Sequence, residues 1–328
     1  MKKAPNTFDP SRRRLLNTVL GAAALGVPVM GAPLVARAAG KPGFFAAHDL
    51  PVGVQLYTVG PAAQTDIQGT FRRIADIGYR IVELAGMHGH TPAELRAAAD
   101  RAGLKLTGIH VRAQGGNGDP GLEDDPGKLA AMLNTLGITE VTMPIMIMPP
   151  GAKPADGENF GAFLVRTGTQ MTADDWKRNA DFLNARGALL RKEGIRLGYH
   201  NHNFEFRPQG NTNGWEILVG NTDPAVVDFE VDAGWVAAAG HDPAKILGAM
   251  KGRARQIHVK DILATTKPNF ELKQDPTEVG SGMLHWNTIL PVAWDAGVRR
   301  YYVEQEPPFA HDRFESLAIS HKHLTTRV

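Results

Sequence analysis

The chain has 328 residues, 36 Lys and Arg against 34 Asp and Glu, no cysteine, and 43% apolar content. That length suffices for one large domain with a substantial core, and the missing thiols exclude disulfide staples, thiolate catalysis and Cys-bound zinc. The charge is unevenly spread: residues 1–38 hold six basic residues and only Asp9, so the other 290 carry 30 basic and 33 acidic residues, net −3, and nucleic-acid binding loses its electrostatic support.

The first segment reads as an export signal. Ser11-Arg12-Arg13-Arg14-Leu15-Leu16 has the twin-arginine form, a mildly apolar Ala/Gly run follows from Val19 to Val35, and Ala36-Arg37-Ala38 offers the small residues a signal peptidase reads. Cleavage is expected after Ala38, leaving a periplasmic domain of residues 39–328 carried by the twin-arginine machinery. Pro28 and Pro33 interrupt the apolar run, so no stable membrane anchor is expected.

Beyond it, apolar runs alternate with amphipathic stretches. Val52–Tyr57 reads as a strand, Ile67–Ile77 as a helix and Tyr79–Leu84 as a second strand. Thr91-Pro92-Ala93-Glu94 opens a helix with a capping residue, a proline and an acidic first turn. Leu104–Val111 reads as a third strand, Gly127–Leu136 as a helix and Thr139–Met146 as a fourth strand. Pro149 to Thr172, rich in Gly and Pro, reads as a long loop over a site. Thr172 caps a helix running to about Lys192. Ile195–His202, Ala225–Val231, Ala254–Lys260 and Arg300–Glu304 complete the strands, with helices at Pro243–Met250, Trp286–Ala296 and from Asp312. Eight alternating units predict a single closed (β/α)8 barrel. An open doubly wound sheet is disfavoured, because no Gly-x-Gly-x-x-Gly turn follows the first strand.

In such a barrel the active site lies where the strands end. Those ends carry Gln55 and Tyr57, Glu83, His110, Met143, His200 and His202, Asp232, His258 and Lys260, then Glu304 and Glu306. Singly each has a bland reading: Glu83 as an ion-pair partner, His110 as a hydrogen-bonded core residue, Asp232 as a turn cap, Lys260-Asp261 as a solvated pair. Together they would crowd ionisable groups onto one face, which is costly unless a cation or polar ligand compensates. A His/carboxylate set without Cys suits one divalent metal ion, Mn, Co, Zn or Mg.

The stretches "GVQLYTV", "YRIVELAG", "GYHNHNFEF", "FEVDAGW", "IHVKD", "VGSGMLHW" and "YYVEQE" resemble the sugar phosphate isomerase/epimerase family with a xylose isomerase-like barrel, from about residue 50 onward. The resemblance implies a metal held by Asp232, His258 and Glu304. The family's commonest fifth-strand glutamate is replaced in register by His200, with His202 two residues on and on the same side of a strand. Either histidine could complete the metal shell while the other serves in acid–base work; register favours His200 as the fourth ligand and His202 as the proton-transfer group.

The reaction so implied is proton abstraction beside a carbonyl of a sugar or keto-sugar, leading to isomerisation, epimerisation or elimination. Glu304 or His202 would serve as base, and Lys260 would offset the developing charge. Glu83 and Glu205 are expected to hold sugar hydroxyls, His110 to bind substrate or relay protons, and Trp235 to stack on the sugar. An exported enzyme would meet unphosphorylated sugars or oxidised glycosides, and Gly280-Ser281-Gly282 is the one candidate phosphate turn. The alternative is a non-catalytic periplasmic sugar-binding barrel, with Tyr57, Trp235 and Trp286 as platforms. An abasic-site endonuclease is disfavoured by the net −3 charge.

Overall fold

The computed structural model describes residues 42–116 and 118–328. The export-signal reading of residues 1–38 lies outside them. Among the described residues, no helix is long and apolar enough to cross a membrane.

Eight parallel strands close into a barrel: β1 (Gly53–Gln55), β2 (Ile81–Leu84), β3 (Lys105–His110), β4 (Glu140–Met143), β5 (Arg196–His200), β6 (Val227–Asp232), β7 (Ala254–Val259) and β8 (Arg300–Val303). Each pairs with its neighbours in the chain, and β8 closes on β1. The outer helices are α1 (Ile67–Ile77), α2 (Pro92–Ala102), α3 (Pro126–Leu136), α4 (Ala173–Lys192), α5 (Gly214–Asn221), α6 (Pro243–Ala249), α7 (Trp286–Ala296) and α8 (Arg313–Thr326).

Local chemistry sets where the helices begin. Thr91 and Glu94 form a reciprocal capping box at α2, and Thr172 and Asp175 do the same at α4. Asp66, Asp125, Asn213, Asp242 and Asp312 cap five others by accepting a backbone N–H. The residues of β2 and β6 are buried on both faces, as a sheet wrapped by helices requires.

Beyond the earlier ends of β1 at Gln55 and β4 at Met143, three expectations change. The segment 149–172 is not irregular throughout: Asn159 caps a helix at Phe160–Gln170, whose Phe163 and Leu164 are buried. Helix α5 is not evident from the sequence, because "GWEILVGN" is short and carries two glycines that mask its periodicity. Strand β5 stops at His200, two residues early, because Glu205 takes the His202 backbone N–H (2.9 Å) that a longer strand would give to a neighbour.

Register brings the strand ends together. His200 pairs with Glu230 across β5–β6, Asp232 with His258 across β6–β7, and Gln55 with Glu83 across β1–β2. On β6, Asp228, Glu230 and Asp232 alternate with Val227, Phe229 and Val231. Phe229 packs edge-on against Trp215 of α5, so the acidic set faces the barrel interior.

Candidate active site

A cavity of about 460 Å³ opens at the C-terminal end of the barrel. Tyr57, His110, His200, His202, Trp235 and Glu304 are among its lining residues, and Phe160 and Leu164 of the helix after β4 form part of its wall. The interrupted segment therefore does border the site, as a helix.

Behind the cavity lining lies a fully buried network centred on His258, which meets the cavity through His110, His200, Glu304 and Glu306. His258 Nε2 lies 2.8 Å from Glu83 Oε2 and 3.1 Å from Glu230 Oε1. Its Nδ1 lies 2.9 Å from Glu304 Oε2 and 3.6 Å from Asp232 Oδ2. His110 Nε2 and His200 Nδ1 approach the same Glu230 oxygen, at 2.8 and 3.1 Å. Lys260 Nζ is held by three carboxylates: Glu306 at 2.6 Å, Asp232 and Glu304 each at 2.7 Å. Gly234 permits this, since a Cβ there would lie 2.7 Å from Lys260 Cγ.

Burial and charge act against each other throughout this network. Burial pushes the Glu83 carboxyl up to about 7, and Glu230 beside it adds to the rise. Burial opposes protonation of His258, but Glu230 and Glu304 outweigh it and hold the ring well above the usual histidine range. The same contest, won by Glu83 and Glu230, raises His110. Burial takes His200 down to about 4 and His202 well below the usual range. Lys260 and His258 overcome burial at Glu304 and keep it ionised.

These residues suit a divalent cation. Five buried or half-buried carboxylates gather here, Asp232, Glu304 and Glu306 around the Lys260 ammonium and Glu83 and Glu230 around His258. Glu83 Oε1 and Glu230 Oε2 are buried with no hydrogen-bond partner among the described residues, a cost that a cation would remove. Two donor sets have their ligand atoms within 4.8 Å of one another: Asp232, His258 and Glu304, and His110, His200, Glu230 and His258.

Glu230 is the residue that the reading of strand ends misses. It lies two positions before Asp232 on β6, so the alternation that pairs His200 with His202 would also pair these two. Other expected contacts fall elsewhere. Glu83 and Glu205 are fully buried and line no part of the cavity, so neither meets a sugar hydroxyl there. Glu83 is occupied by His258 and by Gln55 Nε2 (2.8 Å). Lys260 is also fully buried, behind Glu304 and Glu306. Trp235 does border the cavity and lies 5.0 Å from Lys260 Nζ. Trp286, expected as a platform, is buried and donates to Asp261.

The Gly280-Ser281-Gly282 turn is already filled. The backbone N–H groups of Gly280 and Leu284 donate to the Asp261 carboxylate (2.9 and 3.2 Å). An internal anion takes the donors that a phosphate would need. Lys260 and Asp261 are thus two buried groups facing opposite ways rather than a solvated pair.

Glu205 holds the turn after β5. It accepts hydrogen bonds from the Tyr199 hydroxyl at 2.7 Å and the His202 backbone N–H at 2.9 Å. Burial pushes its carboxyl from 4.5 up to about 8. A carboxyl raised by folding stabilises fully below its unfolded pKa, and that stability is lost as pH rises through the folded value. Between about pH 4.5 and 8 the protein should therefore lose up to about 1.4 kcal/mol per pH unit from this group. Glu205→Gln can satisfy both partners without ionising, so denaturant midpoints measured from pH 5 to 9 should favour the variant increasingly up to about pH 8. A constant difference across that range would remove Glu205 as the titrating group.

A family model for the xylose isomerase-like TIM barrel matches residues 71–318. The chain belongs to that family. Curated relatives of this xylose isomerase-like barrel include an inosose dehydratase of Bacillus anthracis, 26% identical over 154 residues, or 43% of this chain and 51% of the relative. An inosose dehydratase of Bacillus cereus is 32% identical over the same shares. The chain spans about half the length of the curated relatives it matches. Among solved structures, a sugar phosphate isomerase/epimerase of Parabacteroides distasonis superposes with a TM-score of 0.65 at 22% identity, covering 84% of this chain and 97% of the other. A xylose isomerase-like TIM barrel protein of Mycobacterium smegmatis in complex with magnesium gives 0.60 at 14%, covering 85% and 96%. At these identities the superpositions show the shared barrel.

Proposed function

We propose that this xylose isomerase-like barrel is a divalent-metal-dependent enzyme that removes a proton beside the carbonyl of a sugar or keto-sugar. The observation that carries this reading is the cavity lined by His110, His200, His202 and Glu304, with the buried His258 network directly behind it. When bound, a divalent cation supplies Lewis acidity to a carbonyl and its neighbouring hydroxyl. The resemblance assigns it to His200, Asp232, His258 and Glu304.

The chain's own residues then have distinct tasks. His202 borders the cavity, its Nδ1 is buried without a hydrogen-bond partner among the described residues, and burial keeps the ring neutral, so in this reading it is the group that takes up the proton. Its ring is fixed by stacking on Phe204, with centroids 5.3 Å apart. Glu304 faces the cavity from β8 and is held ionised by Lys260 and His258, which suits it to accept a hydrogen bond from a substrate hydroxyl. Lys260 acts from behind it as a fixed positive charge. Tyr57, Phe160 and Trp235 supply aromatic faces for the sugar ring.

Isomerisation, epimerisation and elimination share this first step. The dehydratase names of the curated relatives favour elimination as the second. Incubating the protein with candidate keto-sugars in D2O should show exchange of the proton beside the carbonyl, and a chelator should suppress it. Exchange that persists in metal-free protein would refute the metal-dependent reading, as would a complete absence of exchange and product across keto-sugars.

A further inference from the structure

A second cavity, of about 520 Å³, lies beside the first. The two have Leu272 and Glu306 in common as lining residues, so they meet along that edge. The walls of the second come from the loop between β7 and α7 and from Pro307 after β8. Each cavity alone falls within the usual range of small-molecule sites, about 300–1,000 Å³.

Hydrogen bonds hold this recess open. A short antiparallel ladder between Asp261–Ile262 and Pro276–Thr277 closes the base of the loop. Asn203, fully buried and next in the chain to His202, donates to the backbone and side-chain oxygens of Asn269 (3.0 and 2.9 Å) and accepts the Leu272 N–H (3.1 Å). Asn269 in turn donates to the Lys267 and Lys273 carbonyls, at 2.9 and 2.8 Å. Leu272 is thereby held at a φ of 55°, a left-handed backbone that a leucine adopts only when its surroundings impose it. The recess is preformed, so a ligand entering it need not order the loop.

Its lining is polar and close to neutral. Thr266, Asn269 and Gln274 supply hydroxyl and amide groups, while Lys267 and Lys273 stand against Asp275 and Glu306. None of its described lining residues is aromatic, so the recess suits a hydroxyl-rich unit rather than a flat apolar one. Gln274 Oε1 is buried with no hydrogen-bond partner among the described residues, an acceptor for which a sugar hydroxyl is a fitting donor. We infer that the recess binds a second sugar unit, so that the substrate is a glycoside or oligosaccharide. Its keto-sugar unit occupies the first cavity, against the aromatic faces of Tyr57, Phe160 and Trp235, and the second unit lies past Leu272 and Glu306. This rests on the keto-sugar reading above and deepens it to a substrate class.

Proton exchange in D2O by the full chain supplied with Mn2+ tests this on two pairs of probes: D-fructose against its glucosyl derivative maltulose, and 3-ketoglucose against 3-ketomaltose. In a pair that exchanges, the two-unit member should show a kcat/KM higher by about tenfold, as one or two net hydrogen bonds would give. Gln274→Ala removes the unmet acceptor, and Lys273→Trp fills the recess from an exposed position; each should bring that ratio down towards one. Equal kcat/KM within every exchanging pair, or a ratio that neither variant lowers, overturns the second subsite and leaves the keto-sugar reading standing. If no probe exchanges, the proton-abstraction reading fails for these sugars, and calorimetry decides the recess separately. Tighter binding of maltulose or 3-ketomaltose than of its one-unit partner, lost in Lys273→Trp, supports the subsite. Equal binding within both pairs, or none, removes it.

Discussion

Replacing His258 by alanine is expected to give a protein that binds no divalent metal, turns over no sugar and is less stable by about 3–5 kcal/mol, the usual cost of removing one partner from a buried charged network. The ring lies within 3.6 Å of four carboxylates, Glu83, Glu230, Asp232 and Glu304, and is fully buried. Without it those groups face one another across a cavity that water and Lys260 must fill. Because His258 belongs to both donor sets, the expected metal loss does not depend on which of its nitrogens carries the ion. His258→Gln, which restores a buried polar head, should recover part of the stability and none of the metal. Elemental analysis beside denaturant unfolding reads both effects. Stoichiometric metal in His258→Ala would remove the network as the site.

The barrel is legible in the sequence because its signal is periodic and repeated. Eight apolar runs, seven of them followed by an amphipathic stretch, leave few architectures open, and small errors at single ends, such as β5 stopping at His200 rather than His202, do not disturb the count. Which groups collect at the mouth is legible for the same reason, since one end of every strand is brought to one face. What each side chain meets there depends on register and depth, which a single strand does not reveal. Glu205 reads like a sugar ligand behind two histidines, yet it turns under the chain to Tyr199 and the His202 backbone. Glu83 reads as a holder of sugar hydroxyls at its strand end, yet Gln55 and His258 enclose it. Lys260 stands ready for a substrate in sequence and is fully committed to three acids in space. Glu230 escapes a reading of strand ends because it sits two residues inside its strand, a position that reads as core until its neighbours His110, His200 and His258 are seen around it.

The two fifth-strand histidines should separate cleanly on mutation. His200 is the last residue of β5 and belongs to the set converging on Glu230, with its other nitrogen 4.0 Å from Asp232 Oδ2. His202 lies past the strand end, outside both donor sets, between Phe204 and Trp235 at the cavity wall. His200→Ala is therefore expected to lose metal. His202→Ala should stay fully loaded and lower kcat by about 10²–10⁴-fold, the usual contribution of a general acid–base group. Its KM should change far less, because the aromatic faces of Tyr57, Phe160 and Trp235 remain. The solvent-exchange assay sharpens the distinction: His202→Ala should slow proton exchange beside the carbonyl to the same degree as turnover, since one group is lost from one step. Metal content measured beside exchange decides between the roles. Loss of metal in His202→Ala with full occupancy in His200→Ala would reverse them, and exchange at the wild-type rate in His202→Ala would assign the proton to another base, with Glu304 the next group facing the cavity.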